Sequence, residues 1–163
     1  MKQIGSKNYL GITYRVTNVE PLMGYGKIWF GGNFIGTDKD LIYINGYLLS
    51  TLKEIRECTV ADFDTSDKDL LFKTLYERLN DHDDFDIHDY LVRGATFTDY
   101  FYIFSFRDEN YRIHILWKLR QGSTFSDLKN ASRAVHYFTV PYIEYAAFFD
   151  EAQLEISNYG KNV

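Results

Sequence analysis

Two aromatic and β-branched runs separated by three polar residues constrain this chain more than any other feature. Residues 100–107 and 111–118 both have strong strand composition. The intervening Asp108-Glu109-Asn110 has room only for a turn, so the two runs are predicted to pair as an antiparallel hairpin. On the second run Tyr111, Ile113, Ile115 and Trp117 alternate with Arg112, His114, Leu116 and Lys118. That alternation predicts one apolar face over a core and one mostly polar face. An isolated hairpin is marginal in water, so the rest of the chain must cover it.

The remaining patterns supply that cover. Residues 9–16 alternate as a strand, and Gly24-Tyr25-Gly26 reads as turn material. Residues 27–30 form a short strand, and Gly31-Gly32-Asn33 turns the chain into Phe34-Ile35. Gly36-Thr37-Asp38 is read as a second turn, so 26–36 is predicted to be a tight hairpin with glycine where φ is positive. Residues 41–44 fit strand or helix equally. Apolar residues then recur at three and four, predicting helices over 47–57, 67–80 and 142–157. Ser66 is the expected cap of the second helix, and Pro141 suits the first turn of the third. A polar connection runs from Gln121-Gly122-Ser123 to about Ser132, and 135–140 is a further strand. The order implies one α+β domain over 1–163, mainly antiparallel, with about three helices.

Composition narrows the chemistry. The 163 residues suffice for one domain with a substantial core. Of these, 29 are Phe, Tyr or Trp, and most are expected in that core. No apolar run approaches a membrane span, and the N-terminus has no secretory h-region. Cys58 is the single cysteine and is read as a small buried thiol. These features fit the reducing cytoplasm.

The charge is unevenly placed. The chain carries −5, yet the 28 residues 62–89 carry −7 and the remainder +2. Ten acids lie in that segment: Asp62, Asp64, Asp67, Asp69, Glu77, Asp81, Asp83, Asp84, Asp86 and Asp89. Only Lys68, Lys73 and Arg78 oppose them. Three readings follow: a solvated acidic surface, a docking face for a basic partner, or a metal site. An EF-hand loop needs Gly at its sixth position and Glu at its twelfth. Counted from Asp62, those positions are Asp67 and Lys73, so no metal is expected. Direct nucleic-acid binding is disfavoured by the same field. Residues 81–89 are read as a loop whose carboxylates Asp81, Asp83, Asp84 and Asp86 do not support the fold.

Catalytic motifs are missing. There is no G-x-S-x-G elbow, P-loop or H-E-x-x-H pair, and no cofactor is expected. His114 and His136 lie on predicted strands, and a small α+β enzyme or ligand-binding domain using a pocket built on both is the alternative.

The stretch Gly26-Lys27-Ile28-Trp29-Phe30-Gly31-Gly32-Asn33-Phe34-Ile35-Gly36-Thr37 resembles the N-terminal signature of the immunity protein 42 family. Those proteins are found beside polymorphic and contact-dependent growth-inhibition toxins. The resemblance implies a non-enzymatic antitoxin that neutralises a cognate toxin by binding it. Nucleases with basic clefts are one such toxin class, and the ten acids are then the candidate contact residues. The aromatic sheet face around residues 100–117 is the second candidate interface.

Overall fold

The computed structural model describes residues 1–94, 98–122 and 124–159. Strands β1 (Lys2–Gly5), β2 (Leu10–Asn18), β3 (Met23–Phe30) and β4 (Asn33–Tyr43) form one antiparallel sheet in that order. Strands β5 (Phe101–Arg107), β6 (Arg112–Leu119) and β7 (His136–Pro141) form a second, also antiparallel. A π-helical turn (Ile44–Leu49) leads into α1 (Ser50–Arg56). Helices α2 (Lys68–Leu79), α3 (Ser126–Lys129) and α4 (Tyr142–Asn158) follow, making an α+β domain.

Turn chemistry explains the β3–β4 hairpin. Phe30 pairs with Asn33, leaving Gly31 and Gly32 as the two loop residues. Their φ values are +57° and +86°, which a two-residue type I′ turn requires. The two flanking glycine turns expected from sequence do not form. Gly24 and Gly26 lie inside β3, and β4 continues through Gly36-Thr37-Asp38 to Tyr43. A Cβ on Gly24 would sit 2.0 Å from the Arg15 carbonyl oxygen, so glycine there permits close strand approach. The β3–β4 register shifts between Gly24 and Gly26, and that irregularity absorbs what local sequence presented as turns.

The β5–β6 hairpin forms, with Phe101 opposite Leu119 and Arg107 opposite Ile113, but Tyr111, expected to open the second strand, lies in the turn at φ +57°. Its second face departs from expectation. Ile113, Ile115 and Trp117 join the main core with Ile12, Ile28 and Ile35 of the first sheet and Tyr145 and Phe149 of α4. The opposite face is not a polar solvent face. Phe104, Phe106 and Leu116 are buried there against Leu71, Phe72 and Leu75 of α2 and against Ile87. The second sheet is thus covered on both sides, and its aromatic face is unavailable as an open interface.

Smaller differences have local causes. Helix α1 is preceded by a π-helical turn that begins at Ile44, and Ile44, Leu48 and Leu52 are all buried. The N-cap of α2 is Asp67, not Ser66: its carboxylate accepts from the Asp69 and Leu70 amides at 3.1 and 3.0 Å. Pro141 ends β7 and is the N-cap of α4. The polar connection holds the short helix α3, while Ser123 lies outside the described residues. No described helix is long and apolar enough to cross a membrane.

Candidate functional site

The acidic segment begins in an extended approach, forms α2 and ends in a 3₁₀ turn (Asp86–Asp89). Leu71, Phe72, Leu75 and Ile87 face the second sheet, so the polar residues between them are driven outward. Nine of the ten acids are exposed and Asp84 is half-buried.

The carboxylates then divide by what they hold. Asp64 accepts the Ser66 amide at 2.9 Å, and its hydrogen bonds with Ser66 hold its carboxyl below the ordinary value. Asp67 caps α2. Glu77 lies 3.8 Å from Lys73, one helical turn away. Asp81 accepts the Asp83 amide at 3.0 Å. Asp84 is clamped by Arg78, with Nε and Nη2 donating at 2.6 and 3.3 Å, and it also accepts the Ile87 amide at 3.3 Å. The Arg78 hydrogen bond pulls the Asp84 carboxyl below its usual range. Asp84 therefore fastens the segment after α2, contrary to its expected role as a free loop charge. Asp62, Asp69, Asp83, Asp86 and Asp89 have no side-chain hydrogen bond or ion pair among the described residues.

Phe85 stands among these charges at 76% exposure. The clamped Asp84 precedes it and the buried Ile87 follows two residues later, so its backbone is held from both sides. Sequence reasoning passed over this side chain. The available signal was one large apolar residue inside an acidic run. Among the described residues no three His, Cys, Asp or Glu side chains converge as a metal-ligand group.

His114 and His136 do not share a pocket. His114 lies opposite Thr139 and His136 opposite Trp117 in the β6–β7 register. These pairs are offset by three positions along the strand, an odd number, so the two imidazoles point to opposite faces of the sheet. His114 is buried on the α2 side, stacked on Phe106 with ring centroids 4.7 Å apart. Its Nδ1 meets the Tyr137 hydroxyl at 2.7 Å and its Nε2 the Asp108 carboxylate at 2.8 Å. His136 stacks on Trp117 at 5.2 Å. Burial, aided by the Lys68 cation, lowers its pKa. The enzymatic alternative built on this pair is thereby removed: a strand with an odd offset cannot bring both rings to one side.

The glycine-aromatic signature has a structural job. Lys27, only 8% exposed, reaches Asp127 of α3 at 2.8 Å and Asp38 at 3.5 Å. Thr37 Oγ1 and the Asp38 amide donate to the same Asp127 carboxylate at 2.9 and 3.1 Å. Burial pushes that carboxyl up, but Lys27 and these donors outweigh it, and the net shift is downward. The cluster ties β3 and β4 to α3. Cys58 is buried and unpaired, and burial pushes its thiol up to about 11.

The family model described as immunity protein 42 matches residues 1–155. Comparisons with curated proteins and with solved structures return no match. The chain belongs to the immunity protein 42 family.

Proposed function

We propose that this member of the immunity protein 42 family is an antitoxin that acts by contact and without chemistry, in the cytoplasm of the cell it protects. The toxin surface it meets is basic, as a nuclease cleft that binds phosphate would be. The observation that carries this reading is the outward face of residues 62–89. Five carboxylates there have no hydrogen-bond or ion-pair partner among the described residues, and Phe85 rises among them. Unpaired surface charge of one sign steers a partner of opposite sign and raises the encounter rate. A held aromatic side chain supplies the desolvated anchor that charge alone does not.

Co-expression with the toxin domain encoded beside the gene, followed by co-purification, tests the partnership. The rate constants then test the surface. Asp69→Asn, Asp83→Asn and Asp86→Asn in one protein leave the Asp67 cap and the Asp84 clamp intact. The association rate should fall about threefold to tenfold, with a shallower salt dependence. An unchanged rate and salt response would place the interface elsewhere. Phe85→Ala should act on the dissociation rate, because anchors are felt after docking.

A further inference from the structure

One end of the α2–sheet junction opens into a cleft of about 490 Å³. Phe72 and Tyr76 of α2 form one wall, and Tyr102 of β5 forms another. The Tyr76 and Tyr102 rings meet edge to face at 5.0 Å. Lys118 and Arg120 also line the cleft, and among the described residues no acidic one does. Among the described residues neither cation has an ion-pair partner. Arg120 is held in place: its guanidinium lies 4.1 Å from the Tyr102 ring centre, and its Nε donates to the Phe101 carbonyl at 3.2 Å. Among the described residues its terminal N–H groups have no acceptor, which leaves them for an external one.

Two unneutralised cations against aromatic walls are unusual in a chain of net charge −5. A planar guanidinium fixed through Nε presents the fork that matches a carboxylate. The rings can bury the apolar stem of such a side chain. The −7 segment next to the cleft opposes a polyanion such as nucleic acid, whereas one carboxylate on a basic surface meets charges complementary to both regions. We infer that this cleft receives a single carboxylate side chain of the toxin and so sets the register of the complex. This inference rests on the binding reading above. Alternating sign across an interface suppresses misaligned docking, because a shifted partner would place like charges together.

The test compares Lys118→Gln/Arg120→Gln, and separately Arg120→Lys, with the wild type against the adjacent toxin domain. Circular dichroism verifies the fold, and Arg120→Lys keeps the charge while losing the fork. The dissociation rate should rise about tenfold or more in the double variant and measurably in Arg120→Lys. The double variant's association rate should not fall, since the removed cations repel a basic partner. Dissociation within twofold of wild type in both variants overturns the cleft assignment while leaving the binding reading standing. Failure of the wild type to bind the toxin overturns both. A mixed-sequence single-stranded oligonucleotide retained by the wild type and released by the double variant would mark a polyanion site and overturn the assignment.

Discussion

Tyr14 and Tyr145 are both fully buried, yet their hydroxyl groups meet different surroundings. The Tyr145 hydroxyl donates to the Leu52 carbonyl at 3.1 Å, joining α4 to α1. Among the described residues the Tyr14 hydroxyl has no partner, and burial, with the nearby Glu155, pushes the phenol up to about 12. A buried donor without a partner costs about 1–3 kcal/mol, while a satisfied one contributes about 1 kcal/mol. Tyr14→Phe should therefore raise stability by about 1 kcal/mol, and Tyr145→Phe should lower it by about the same amount. Urea unfolding of the two variants checks the opposite signs. Destabilisation by Tyr14→Phe would mean that its hydroxyl is satisfied in solution. Nothing in the alternation of residues 9–16 separates these cases, because hydrogen-bond satisfaction depends on what packs opposite.

At the scale of an element, α2 shows how a charge can belong to the fold. Ser66 and Asp67 are equally good capping residues by type. The chain is extended at Asp67 (φ −127°, ψ 100°), and the Ser66 amide is already bound by Asp64. The cap is decided by the helix phase that puts Leu71, Phe72 and Leu75 on the sheet. Asp67→Ala should cost about 1 kcal/mol, whereas Ser66→Ala should stay within about 0.5 kcal/mol. Thermal unfolding distinguishes them, and equal losses would contradict the cap. Of the ten acids singled out from sequence, Asp67 and Asp84 thus support the segment that displays the others. The charge count was legible from composition. The division into structural and free carboxylates was not, because it is made by partners such as Arg78 and by the start of a helix.

For the whole molecule, the decisive feature is a sheet buried on both faces. Phe104 is fully buried in the layer between that sheet and α2, and its ring meets Phe72 at 5.5 Å. Phe104→Ala should cost about 3–5 kcal/mol. Because this layer holds α2, amide exchange should accelerate in Lys68–Leu79 more than in β2 and β3. Uniform acceleration would show that the acidic helix and the main core open together. The sequence alone determined the β5–β6 hairpin, the Gly31-Gly32 turn, the spans of α2 and α4, and the concentration of negative charge. Each rests on periodicity, turn chemistry or composition, which are properties of neighbouring residues. Tertiary structure alone decided that Leu116 and His114 are buried, that His114 and His136 face apart, and that Lys27 and Thr37 meet an Asp127 distant in the chain. Burial of a strand's second face and pairing of distant charges are set by which elements pack together, and local patterns carry no record of that choice.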